Sequence, residues 1–321
     1  MAKWQYEKGL HDLGNGLYGY LVPDGSWGWS NAGLVVDGDE ALLVDTLFDL
    51  NSTGDMLKSI KDGLGGLERF DNLVNTHSNG DHTYGNELVN TGEIIASAAC
   101  SHEMHQRKPA DLAKLMREAG NLGEGGLLLR ELMGPPKFDF EGIEGRMPTK
   151  TFEREMDLKV GDKDVKLVNV GPAHTGGDVL VHVPDDKAVF TGDIVFNKGH
   201  PVIWDGPVQN WINALDLILS WDVETVVPGH GPVAGKAEVR DLKDYFIYID
   251  KEVRARYDAG LTVEDAAAEI SLDAFQGWLD AERIVMNVNA LYKEYSGVAP
   301  VFDRIELFAM MSRYRKRVGI S

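Results

Sequence analysis

The chain has 321 residues, 43% of them hydrophobic, with 32 Lys and Arg against 51 Asp and Glu and a formal net charge of -19. That length and apolar share allow a sizeable core and argue against a disordered chain. The acidic balance argues against a nucleic-acid binder, which needs basic patches to neutralise phosphates.

The first part reads as strand-rich. Gly16 to Val22 and Ala32 to Val36 are expected as short strands on either side of a Gly/Trp loop at Pro23 to Ser30. The apolar run Glu40 to Asp45 reads as a buried strand ending in a carboxylate, and Ser52 is expected to cap a helix reaching about Lys61. Asp71 to Asn75 and Glu93 to Ser97 read as further strands, a strand–helix–strand rhythm of a layered α/β domain. From Ala98 to about Met133 the text turns helical until Gly134-Pro135-Pro136 breaks it, so residues 98–136 are expected as a helical insertion, a candidate cap over an active site. The strand rhythm resumes with Val165 to Val170, the hairpin Val179 to Phe190 turning at Pro184 to Lys187, a helix at Trp211 to Leu219, and a strand at Glu224 to Val227. Residues 239–321 read as helices over Asp241 to Ala259, Val263 to Ile270 and Asp280 to Tyr295, punctuated by Gly260, Gly297 and Pro300. They are expected either to pack on the domain of residues 1–238 or to form a homodimer interface. The basic tail Arg313 to Arg317 fits cations at a helix C-terminus better than a nucleic-acid site.

The run His77-Ser78-Asn79-Gly80-Asp81-His82 directly follows a predicted strand. Imidazole and carboxylate together suit zinc, iron or manganese, although a His-rich surface loop would look the same. Three later sites turn the balance. His174 lies in the Gly-rich turn Gly171 to Asp178, Asp193 ends Phe190-Thr191-Gly192-Asp193, and His230 lies in Pro228-Gly229-His230-Gly231. Each is a ligand-type residue at a strand end, with glycine beside it to let the backbone approach closely.

This ordered series, with Thr83-Tyr84-Gly85-Asn86 after it, resembles the metallo-β-lactamase superfamily over about residues 14 to 235. The resemblance implies a four-layer αββα sandwich with metals at one edge of two sheets. It implies that His77 and His174 bind a first metal, that Asp81, His82 and His230 bind a second, and that Asp193 bridges them. A metal-bound hydroxide would be the nucleophile, oriented by Asp81. The implied enzyme is a metal-dependent hydrolase of a small ester, lactone, thioester or amide.

One position departs from the family's His-x-His-x-Asp-His pattern: its second His is Asn79 here. A neutral amide oxygen is a weaker ligand than imidazole. The expectation is one tight metal at the second site and a weak first site, with Asn79 a weak ligand or a contact to water or substrate. Zinc is the default metal, and iron or manganese remain compatible. Two rival readings are an iron-dependent oxidoreductase of the same fold and a non-catalytic metal-binding relative.

The rings of Trp27, Trp29 and Trp204 lie in loops that approach the metal edge in the family, so they are candidates to line an apolar pocket for a small-molecule substrate. His200 and Lys198, on the loop after Asp193, are candidates to contact a substrate carboxylate or carbonyl. His102 and His105 share a helix face but read as an exposed polar surface. Cys100, the one cysteine, cannot form an intramolecular disulfide and reads as a buried apolar residue. Residues Met1 to Lys8 lack a basic head followed by an apolar run, and no stretch is long enough to span a bilayer. The expected setting is therefore cytoplasmic, with no membrane partner.

Overall fold

A computed structural model describes residues 4–298 and 302–320. Met1 to Lys3 and Pro300, used above as punctuation, lie outside the described residues. The strands are β1 (Gly9–Gly14), β2 (Leu17–Leu21), β3 (Ala32–Asp37), β4 (Glu40–Val44), β5 (Phe70–Val74), β6 (Thr91–Ser97), β7 (Lys150–Phe152), β8 (Glu155–Val160), β9 (Lys163–Asn169), β10 (Val179–Val183), β11 (Ala188–Phe190) and β12 (Thr225–Val227). The helices are α1 (Leu50–Gly63), α2 (Gly80–Thr83), α3 (Ala98–Gln106), α4 (Pro109–Glu118), α5 (Gly123–Met133), α6 (Val208–Ser220), α7 (Lys236–Asp258), α8 (Val263–Glu269), α9 (Ile284–Ser296) and α10 (Arg304–Val318).

Strands β1 to β7 form one sheet in chain order, and β12-β11-β10-β9-β8 form a second. The period-two alternation of strands assigns each face. Val35, Leu42, Val44, Val74 and Ile95 of the first sheet meet Val165, Leu167, Val179, Val181 and Phe190 of the second in a shared core. The alternate residues Leu34, Leu43, Leu73 and Ile94 pack on Met56 and Ile60 of α1. On the far side, Leu180, Val189 and Val226 pack in one cluster with Trp211 and Ile218 of α6 and Leu242, Phe246 and Ile249 of α7. These are the four layers of an αββα sandwich.

Three strands were not anticipated. β1, β7 and β8 carry few apolar residues, and β8 is an edge strand with alternately exposed side chains. The cap of α1 is Asp49, whose carboxylate accepts from the Ser52 N–H at 2.7 Å, so Ser52 is the capped residue and not the cap.

The insertion resolves into α3, α4 and α5, and α10 lies along α5. The two helices approach so closely that a Cβ on Gly125 would sit 1.9 Å from the Ile305 carbonyl oxygen. The apolar cluster that covers the second sheet runs without a break from the insertion through Tyr245, Val288, Phe308 and Met311 of the C-terminal helices. The basic tail ends α10, where Arg313 pairs with Glu264 at 2.8 Å and Arg315 with Glu131 at 2.9 Å. Among the described residues, no helix is long and apolar enough to cross a membrane.

Candidate metal centre

Each ligand-type residue follows the carboxyl end of a strand or its loop. His77 to His82 follow β5, His174 lies between β9 and β10, Asp193 follows β11, and His230 follows β12. In both sheets the strands concerned run parallel to a neighbour, β4 with β5 and β11 with β12, so their ends open on one edge. His77, His82, His174, Asp193 and His230 are each at most 4% exposed.

The two oxygens of Asp193 divide the cluster. Oδ2 lies 3.7 Å from His77 Nε2 and 3.2 Å from His174 Nε2. Oδ1 lies 3.1 Å from His82 Nε2 and 3.4 Å from His230 Nε2. Asp81 Oδ2 joins the second group, 3.4 Å from His230 Nε2. Asp193 can approach this closely because residue 229 is glycine: a Cβ there would lie 2.0 Å from Asp193 Oδ1.

The outward nitrogen of every ring has a partner. His82 Nδ1 donates to Asp45 at 3.0 Å, His174 Nδ1 to the Val202 carbonyl at 2.7 Å, and His230 Nδ1 to the Trp29 carbonyl at 3.1 Å. Thr76 spends its hydroxyl proton on Asp45 at 2.7 Å, so its oxygen is left to accept from His77 Nδ1 at 3.0 Å. On each ring in its neutral form Nδ1 carries the proton, so Nε2 would offer its lone pair inward to a cation. His77 Nε2, His82 Nε2 and Asp193 Oδ1 are buried without any hydrogen bond. Buried polar atoms are almost always satisfied, so three orphans facing one another fit a cation. The trios His77–His82–Asp193 and Asp81–His82–His230 each bring their ligand atoms within 4.8 Å of one another.

The charges of the cluster agree. Burial and the neighbouring His82 push His77 well below the usual imidazole range. Burial also opposes protonation of His82 and His230, but Asp193 outweighs it, together with Asp45 for the first and Asp81 for the second. His82 is raised well above the usual range and His230 is raised to about 9. Asp193 is held well below the carboxylate range despite its burial, by His230, His82, His174 and His77. The carboxylates thus draw positive charge into a buried site.

Asn79 sits beside the first trio, and its amide nitrogen donates to His174 Nε2 at 3.0 Å. That bond occupies the lone pair a metal would need.

Asn79, Asp81, His174, Asp193 and His230 line one part of a cavity of about 340 Å³, and Trp27 and Trp204 line another. Two other candidates fall elsewhere. Trp29 lies against Phe138, with ring centroids 4.4 Å apart, and reaches the centre through its carbonyl only. His200 is 1% exposed and packs on Tyr245 and Trp278, because the loop after Asp193 folds back under the C-terminal helices. Burial and the charge of Arg283 lower its pKa to about 3, so it is a neutral core residue and not a substrate contact. Lys198 is exposed outside the cavity, His102 and His105 lie on the exposed face of α3, and Cys100 is fully buried.

The sequence reading missed several lining residues. Phe48 and Tyr84 flank the metal loop, Arg107 comes from the insertion, and Arg283, Arg304 and Phe308 come from the C-terminal helices. It also missed Asp45, whose left-handed backbone (φ 63°) at the end of β4 was signalled only by a carboxylate closing an apolar strand.

The sequence profile of the metallo-beta-lactamase superfamily matches residues 25–230. A hydroxyacylglutathione hydrolase from Cereibacter sphaeroides is 25% identical over 83% of this chain and 89% of its own length. An acyl-coenzyme A thioesterase from Gallus gallus is 23% identical over 68% of this chain and 78% of its own. A shorter match to the hydroxyacylglutathione hydrolase of Pelagibacter ubique, at 29% identity, spans 44% of that protein and 32% of this one. Among solved structures, the stereoselective inverting sec-alkylsulfatase Pisa1 from Pseudomonas sp. superposes with a TM-score of 0.69 at 15% identity, covering 90% of this chain but only 50% of that one. A metallo-beta-lactamase from Pontibacter korlensis gives 0.54 at 18% identity over 74% of this chain and 99% of its own.

Proposed function

Because the chain belongs to the metallo-β-lactamase superfamily and is a hydrolase of it, we propose that it cleaves a small acyl compound, an ester, thioester, lactone or amide, at one tightly held divalent metal. The observation that carries this is the set of buried, unpartnered atoms, His77 Nε2, His82 Nε2 and Asp193 Oδ1, beside a substrate-sized cavity that Asp81, Asp193 and His230 line. Two relatives named for acyl substrates, hydroxyacylglutathione and acyl-coenzyme A, favour the acyl class.

Asp81, His82 and His230 would hold the tight ion, zinc by default, with Asp193 shared toward a weaker site at His77 and His174. A bound divalent ion supplies Lewis acidity, lowering the pKa of water and polarising an acyl carbonyl. Asp81, in the cavity lining, would orient the water and accept its proton. Asp45, Thr76 and the carbonyls of Val202 and Trp29 hold the four imidazoles in the tautomer that offers Nε2. Trp27, Phe48, Phe196 and Phe308 exclude bulk water from the reacting carbonyl. For the first site to bind metal, the Asn79 amide must turn its oxygen inward, which supports a weak neighbour.

The test is hydrolysis of a panel of thioesters, esters, lactones and β-lactams by protein loaded with zinc, after chelation, and after zinc is restored. The expected result is acyl hydrolysis that chelation removes and zinc returns. Failure of the loaded protein on every member would refute the proposal.

A further inference from the structure

The cavity wall is apolar near the metal centre, but three guanidinium groups line it: Arg283 is held by Asp280 at 3.0 Å, whereas Arg107 at the end of α3 and Arg304 at the start of α10 enter from outside the sandwich. They lie close enough for Arg304 to feel the charge of Arg107. Arg304 sits over the Trp204 ring, 5.0 Å from its centroid. Among the described residues, neither guanidinium forms a salt bridge or a side-chain hydrogen bond.

Acidic residues outnumber basic ones 51 to 32, and other cations of α10 are matched, Arg313 to Glu264 at 2.8 Å, Arg315 to Glu131 at 2.9 Å and Lys316 to Glu124 at 2.5 Å. The nearby carboxylate in the lining, Asp111, does not come within ion-pair distance of either arginine. Lys108 adds a further cation to the same lining, so the mouth stays positive with Asp111 counted and with Asp205, whose charge reaches Arg304. Two like charges brought together beside apolar walls are stabilised when an anion enters between them, and guanidinium is the side chain best shaped to grip an oxyanion.

We propose that the substrate is an amphipathic anion, with its scissile acyl group at the metal centre, an apolar body against Trp27, Phe48 and Phe308, and an oxyanion held by Arg107 and Arg304. This rests on the hydrolase reading above and adds the charge of the substrate and the residues that select it. The shared chemistry is the oxyanion, whether carboxylate, sulfate or phosphate.

The experiment has two readouts. The first compares kcat/KM for a neutral nitrophenyl acyl ester with esters of matched length ending in carboxylate, sulfate or phosphate. A preference of about tenfold or more for an anionic member is expected, carried mainly in KM and reduced severalfold by added salt. In R107Q/R304Q the anionic-to-neutral ratio should fall toward one, and R107K/R304K should restore it in part; the arm with the largest ratio identifies the oxyanion. The second readout is independent of turnover: intrinsic tryptophan fluorescence is titrated with phenylbutyrate and with its neutral amide. The wild type should bind the carboxylate about tenfold more tightly than R107Q/R304Q does, with no such gap for the amide. Equal carboxylate binding by the two proteins would overturn the proposal even if no ester is cleaved. Equal rates on neutral and anionic esters would overturn it while leaving the hydrolase reading standing, and anion binding lost in R107Q/R304Q without hydrolysis of any ester would do the reverse.

Discussion

Replacing Asp45 with Asn isolates one contact of the metal centre. The Asp45 carboxylate is fully buried and accepts from Thr76 N at 2.7 Å, from the Thr76 hydroxyl at 2.7 Å and from His82 Nδ1 at 3.0 Å. Asn has the same shape and is among the few residues that tolerate the left-handed backbone at this position (φ 63°). Its oxygen can keep the Thr76 N–H, but its NH₂ then meets the His82 N–H, donor against donor. The relief is to move the imidazole proton to Nε2, the atom that faces Asp193 at 3.1 Å. A proton there removes the lone pair a metal needs. Loss of an outer partner of this kind weakens metal binding by about 10- to 100-fold, about 1.4 to 3 kcal/mol. The stability of the metal-free chain should change less, because burial already raises the Asp45 pKa against the pull of His82 and Thr76, so neutralising the group relieves desolvation as it removes a charged acceptor. Zinc affinity by chelator competition, set beside urea denaturation of the metal-free protein, separates the two. Zinc affinity within twofold of wild type would refute the claim that Asp45 sets the His82 tautomer.

G229A places a methyl 2.0 Å from Asp193 Oδ1 and should displace the carboxylate, lowering metal content, with a loss of about 1 to 3 kcal/mol in chemical denaturation; wild-type metal content would contradict the close approach. For His200, the folded pKa of about 3 lies below the unfolded value of 6.5, so its contribution is fully present above 6.5 and is lost as pH falls toward about 3. Between pH 7 and pH 5 the wild type should therefore lose about 2 kcal/mol more than H200L, read from urea midpoints; parallel losses would show that His200 does not resist protonation.

The sandwich and the ligand series were legible because they rest on local patterns. A buried strand such as Glu40 to Val44 declares itself by an apolar run, and a ligand beside glycine at a strand end is compact in sequence. β8 was not legible, since an edge strand that alternates Glu155, Asp157 and Lys159 outward lacks an apolar run. The wall of the cavity was not legible for a different reason. Arg107 and Arg304 are 197 positions apart in sequence, and only the packing of α10 on α5 brings them to one mouth. His200 misled because its loop starts at the centre, yet the chain then turns beneath Tyr245 and Trp278, a long-range choice that composition does not record. Asn79 was legible as a departure, whereas its bond to His174 depends on a turn 95 residues away.

The most direct test is elemental analysis of zinc-replete protein after dialysis, for the wild type and for N79H. The geometry predicts one tightly held metal per chain in the wild type. It predicts two in N79H, where an imidazole replaces the amide that donates to His174. A wild type that retains no metal would contradict the metal centre itself, and one that retains two would contradict the weak first site.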